Sequence, residues 1–240
     1  MKLHNYLKDD SWWSDTTSSL VGTVVGIILT FGTSIYWESQ NKETMARKTA
    51  LLTIYSIDCY VELMQDEVNT LKNEDCIFKT VASHYPGRIA QVSKDTLQLF
   101  ISSFAYLSTF AIDTSAENIF THSIDTWKNL DDGRIINSIG DCFAGKNLFV
   151  GFLENLQRHR RSIFLDYCAE KSLLDYKSAD KAVNALISRP DARYLIIEYP
   201  TYVQVLEELC GKIKELNDRN KQIMEVTEEE MEALKAFGEE

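Results

Sequence analysis

No charged residue stands between Asp15 and Glu38. The gap holds 22 residues. As a helix it would be about 33 Å long at ~1.5 Å per residue, close to the ~30 Å hydrocarbon thickness of a bilayer. Trp12 and Trp13 precede the run, and Tyr36 and Trp37 close it. Tyr and Trp favour the headgroup layer, because the ring is apolar while its O–H or N–H seeks water. The run therefore predicts a transmembrane helix over residues 18–37, with those four aromatics as interface anchors. Two readings compete with it. A buried helix of a soluble domain has no need of aromatic residues at both ends. A cleaved export signal finds small residues in Gly32 and Ser34. Its leading segment, however, carries Asp9, Asp10 and Asp15 beside Lys2 and Lys8.

Small residues recur every fourth position in the run, at Ser18, Gly22, Gly26, Thr30 and Ser34. Residues four apart share a helix face. The Gly22/Gly26 pair allows two helices to approach closely in lipid. This face is the candidate oligomerisation surface, so the lipid bilayer and a second copy of the chain are the expected partners. Basic residues flank both ends of the run, with Lys2 and Lys8 before it and Lys42, Arg47 and Lys48 after it. The charge comparison that orients a membrane helix is thus close to a tie, and the side of the remaining chain stays open.

The remainder reads as all-α. Ten Gly and three Pro in 240 residues are too few to punctuate a sheet-rich fold. Ile54, Ile57, Val61, Met64, Val68 and Leu71 fall in alternating steps of three and four, a heptad seam. A second seam runs through Tyr202, Leu206, Leu209, Ile213, Leu216, Asn220 and Ile223. Packing within one chain and an intermolecular coiled coil both satisfy these patterns. Pro86-Gly87 should break the first helix, and Ser93 should cap the next, with Asp95 in its first turn. The segment Thr96–Ile112 carries no charge but is short and holds Gln98 and several hydroxyl residues. It reads as a core helix, with a second membrane insertion over 97–112 as the alternative. A short helix and a turn closing at Gly133 should follow. A long helix over the next segment is weakened by Gly140, Gly145 and Gly151, and helix stops are expected near Pro190 and Pro200. Thr227 and Glu230 have capping-box spacing and predict a short acidic helix at the end. The expected organisation is a tail over 1–17, the span over 18–37, an antiparallel helical bundle over 38–226 and an acidic helix or tail over 227–240.

No motif points to catalysis. "GDCFAGKN", Gly140–Asn147, approaches the phosphate-binding GxxxxGK[ST] loop. Asn147 replaces the hydroxyl that would hold Mg²⁺, and the flanking "RIINSI" reads as helix rather than strand. His4, His84, His122 and His159 stand far apart and form no ligand pair at helical spacing. The five cysteines are scattered without CxxC and read as core thiols. No cofactor, metal or catalytic residue is assigned. An active site without a sequence signature is the remaining enzyme reading, around His122, Asp125 or His159. A net charge of −11 opposes a general nucleic-acid role. Arg158, Arg160 and Arg161 form the one dense basic cluster, a candidate docking patch for an acidic partner or anionic headgroups. Trp127, in "IDTWKNL", reads as a core anchor with its N–H satisfied.

With the span and the following "ESQNKETMARKTALLTIYSID" in view, the chain resembles a group of uncharacterised single-pass bacterial membrane proteins of the Bacteroides type. The likeness rests on the short tail, the "VGIILTFG" core, the charged helix after it and a Trp-containing segment like "SIDTWKNL". It implies a bacterial inner-membrane location and no activity, substrate or site residue. The functional expectation is a non-enzymatic, self-associating scaffold or sensor that binds a protein partner. A membrane-disrupting effector or pore subunit, inserting residues 97–112 as well, is the alternative.

Overall fold

The computed structural model describes residues 42–105, 110, 114–122, 124–128, 130, 132–170 and 178–238. The run 18–37, Trp12, Trp13, Tyr36, Trp37 and the stripe Ser18, Gly22, Gly26, Thr30 and Ser34 lie outside those residues. The described chain is helical, with no strand among the described residues. Its elements are α1 (Lys42–His84), a 3-10 turn (Ile89–Gln91), α2 (Lys94–Ala105), α3 (Ser115–His122), α4 (Ile124–Trp127), α5 (Gly133–Glu170), α6 (Ala179–Ser188), α7 (Pro190–Ile223) and α8 (Glu228–Gly238). Among the described residues, no helix is long and apolar enough to cross a membrane.

Local chemistry sets the helix ends. α1 stops at His84, just ahead of Pro86. Ser93 Oγ accepts the Thr96 N–H at 3.1 Å and caps α2. Asp132 Oδ1 accepts the Arg134 N–H at 2.9 Å and caps α5, which starts at Gly133, where the preceding turn is expected to close. At α8 the capping box closes as its spacing requires. Thr227 N–H donates to Glu230 Oε2 at 3.0 Å, and Glu230 N–H donates to Thr227 Oγ1 at 3.2 Å.

The expected long helix forms, and one expectation about helix stops needs correction. α5 runs for 38 residues straight through Gly140, Gly145 and Gly151. α6 ends at Ser188, beside Pro190 as expected, but α7 begins at Pro190 and continues past Pro200, so no helix stops there. Pro190 occupies a first-turn position, where its missing N–H costs nothing. Pro200 does forfeit a bond to the Ile196 carbonyl. Burial of Ile196, Tyr199, Val203 and Leu206 around it holds the helix together. Each such side chain contributes about 1.5–3 kcal/mol when removed from water.

The described residues form two compact units. The first comprises 42–62, 110–146 and 212–238. There α1 and α7 run antiparallel: Arg47 meets the Met224 carbonyl, while Asp58 meets Asn217 and Lys221. Phe120 packs edge-on against Trp127 at 5.1 Å and against Phe143 at 5.4 Å. Trp127 is buried as expected, but its Nε1 has no partner. Gly145 lies against Ile213, so close that a Cβ there would stand 2.9 Å from Ile213 Cγ1.

The second unit comprises 63–105 and 147–211. α1 and α7 are antiparallel here too, with Lys72 at Glu207 and Glu74 at Tyr199. α2 packs on α6 and buries Leu97, Phe100, Ser103 and Phe104. α2 covers the first ten residues of the uncharged stretch, 96–105.

Beyond α7 the chain turns at Glu225, whose φ of 49° lies in the left-handed region. The Val226 N–H bonds the Lys221 carbonyl at 2.9 Å, a bond of the type that ends helices at a left-handed residue. Glycine enters this region without the Cβ penalty. Glu225→Gly is therefore expected to stabilise the chain by about 0.5–1 kcal/mol. A lowered urea midpoint would contradict this account of the turn.

Candidate functional site

Each long helix carries a heptad seam with polar residues set into it. On α5 the buried seam runs through Ile139, Cys142, Lys146, Phe149, Leu153, Leu156, Arg160, Ile163 and Tyr167. On α7 it runs through Tyr199, Val203, Leu206, Cys210, Ile213, Asn217 and Asn220, and Met224 continues it just past the helix end. Two full charges and two amides thus occupy positions where an apolar side chain would ordinarily sit.

In the first unit Lys146 is 2% exposed. Its Nζ pairs with Glu117 of α3 and lies 5.3 Å from the Tyr60 ring centroid and 5.6 Å from that of Phe143. Ring faces attract a desolvated ammonium, and the carboxylate supplies the counter-charge. "GDCFAGKN" is interior helix, with its lysine already engaged. It offers no loop of backbone N–H groups for a phosphate. Beside it, burial pushes the Cys142 thiol up to about 12, so it is no nucleophile at neutral pH.

The amides of α7 sit in the same unit. Asn217 Nδ2 donates to the Ile54 carbonyl at 2.9 Å and to Asp58 Oδ1 at 2.8 Å. Asn220 is fully buried, and neither atom of its amide has a partner. On α1, Thr49 and Thr53 are buried and bond back to the carbonyls of Met45 and Thr49 at 2.9 and 2.8 Å.

In the second unit Arg160 is 3% exposed. Its Nη1 pairs with Glu74 Oε2 and donates to the Tyr199 hydroxyl at 3.2 Å. The Tyr199 O–H in turn donates to Glu74 Oε2. Burial, above all, raises the Tyr199 phenol far beyond its ordinary range, and the nearby Arg160 only partly opposes this. The phenol is a fixed proton donor here. The arrangement neutralises a buried guanidinium with a carboxylate that is itself mostly buried.

Arg160 therefore leaves the docking patch inferred from sequence, because it points inward while Arg158 and Arg161 remain exposed. Exposed Leu148, Phe152 and Leu165 lie on the same helix. His84 and His122 each place Nδ1 against the backbone carbonyl four residues earlier, at 2.9 and 2.8 Å. His4 lies outside the described residues. No cluster of metal-ligating side chains occurs among the described residues. Of the five thiols, Cys142 and Cys210 are core, Cys59 and Cys168 are half-buried, and Cys76 is exposed.

At the start of α1, Arg47 forms a separate polar site. Its Nη1 donates to the Met224 carbonyl at 2.8 Å, and its Nη2 donates to Glu230 Oε1 and Oε2 at 3.1 and 3.3 Å. The backbone N–H of Thr227, and then Arg47, hold the Glu230 carboxyl below its usual range. This site had a sequence signal only in the capping box. The chain matches no known protein family, no curated protein and no solved structure.

Proposed function

We propose that the chain is a non-enzymatic, membrane-anchored helical protein of the bacterial inner membrane. In this reading residues 18–37 span the bilayer and self-associate through Ser18, Gly22, Gly26, Thr30 and Ser34. The helical remainder then acts as a scaffold or sensor for a protein partner. The observation that carries the reading is the uncharged run of 22 residues, closed at both ends by aromatic side chains. It is supported by α1, which starts four residues after Glu38 and continues for 43 residues. A helix of that length offers a stiff connection from an anchor to a folded domain. The non-enzymatic part rests on the buried ionic groups being paired with one another.

The test has two arms. Full-length protein should stay with the membrane pellet through alkaline carbonate and dissolve only in detergent. Release by carbonate would remove the anchor. In detergent, the double variant Gly22→Ile/Gly26→Ile should dissociate about tenfold more readily, on the ~1–2 kcal/mol scale of contacts between helices in lipid. Unchanged oligomers in the variant would remove self-association through this face.

A further inference from the structure

α8 is attached differently from every other long element in its unit. None of its described side chains is buried, whereas α1, α5 and α7 each bury a full seam. A cavity of about 320 Å³ lies along it, where Val226 and Met231 sit among the polar residues Lys221, Glu228, Glu232 and Lys235. Beside half-buried Met231 and Leu234, α8 is tied by Arg47 Nη2, which donates to both carboxylate oxygens of Glu230. Both partners remain partly open to solvent, with side-chain exposures of 41% and 32%. Glu230 also closes the capping box. One carboxylate thus serves both the start of α8 and its attachment, so losing either weakens the other.

Position adds a second observation. Arg47 lies six residues into α1 and nine residues after Glu38, where the uncharged run has ended. An anionic bilayer surface there would act on both halves of the contact. It attracts Arg47, and it repels Glu228, Glu229, Glu230 and Glu232 of α8. The surface potential decays over about a Debye length, ~8 Å at physiological salt, and nine residues of helix span about 13.5 Å, so the surface acts on Arg47 most strongly at low salt, where that length grows to ~30 Å at ~0.01 M.

We propose that α8 is an electrostatic latch on Arg47, and that anionic lipid headgroups open it by taking Arg47 from Glu230. The proposal rests on the membrane-anchor reading given above. In the closed state Arg47 holds Glu230 of α8. In the open state α8 hangs from Glu225, and the cavity, whose wall includes Glu228, Met231, Glu232 and Lys235 of α8, is taken apart.

The experiment uses the full chain reconstituted in vesicles, either of phosphatidylcholine alone or of phosphatidylcholine mixed with phosphatidylglycerol. Flotation reports anchoring, and amide hydrogen exchange over 228–238 reports the latch. In neutral vesicles Arg47→Gln should speed exchange of α8 by about three- to tenfold, leaving α5 unchanged. Anionic vesicles should speed wild-type exchange by a similar factor and add little in Arg47→Gln. Equal wild-type exchange in the two vesicles, with flotation intact, would overturn the latch and leave the anchor standing. Failure to float would overturn the anchor and the latch with it. Inorganic phosphate added to neutral vesicles should change nothing; an equal speeding by phosphate would overturn the lipid surface as the trigger.

Discussion

Glu74→Ala is expected to cost about 3–5 kcal/mol of stability, measured as a fall in the urea midpoint of the full chain in detergent. The size of the loss follows from what the variant leaves behind. A guanidinium group stays charged inside proteins. Buried at 3% exposure, Arg160 would keep a charge with no counter-ion. The Tyr199 hydroxyl would lose its acceptor in the same step. Removing both charged groups should be far milder. Glu74→Leu/Arg160→Met is expected to recover most of the loss, because apolar replacement of a buried pair is often neutral or stabilising. A cost below about 1 kcal/mol for Glu74→Ala would mean that water reaches the guanidinium.

Phe78→Ala should cost a similar amount, about 3–5 kcal/mol, for a different reason. Phe78 is fully buried among three other rings. Its centroid lies 4.7 Å from that of Tyr199 and 5.4 Å from those of Phe100 and Phe104. Removing the ring leaves a void that rigid neighbours refill poorly. Phe78→Leu keeps much of the volume and should cost less than half as much. Leu99→Ala, on the exposed face of α2, should stay within about 0.5 kcal/mol. A small effect at Phe78 together with a large one at Leu99 would reverse the assignment of the α2 faces.

Much of this architecture was legible because its signals are local. All six residues of the first seam, from Ile54 to Leu71, are buried. The caps at Ser93 and Thr227 depend on side chains three residues from their targets, so spacing alone reveals them. The second seam was half legible. Leu206, Ile213 and Asn220 lie in the core, whereas Tyr202, Leu209, Leu216 and Ile223 are only half-buried. The true stripe alternates those three with Val203, Cys210, Asn217 and Met224. A count of apolar residues drifts to the flank because Cys210 and Asn217 do not register as core.

The buried charges were hidden for the same reason. Continuing the three-four alternation from Ile139 lands on Lys146 and Arg160, but their charge suggests solvent. Arg160 was accordingly assigned to a surface cluster by its neighbours Arg158 and Arg161. Only the distant partners, Glu117 and Glu74, make those positions tenable. Pro200 misled in the opposite direction, since its local effect is outweighed by packing that no short window contains.

The crossing of α5 and α7 at Gly145 carries a consequence for how this chain can diverge. The spacing there is set by main-chain atoms against the Ile213 branch, with room for a hydrogen and nothing larger. Descendants of the sequence should therefore keep glycine at 145, or trade it for alanine only where position 213 has shrunk to valine or alanine. Such paired substitution would be an inherited trace of the contact, readable from related genomes without any further coordinates.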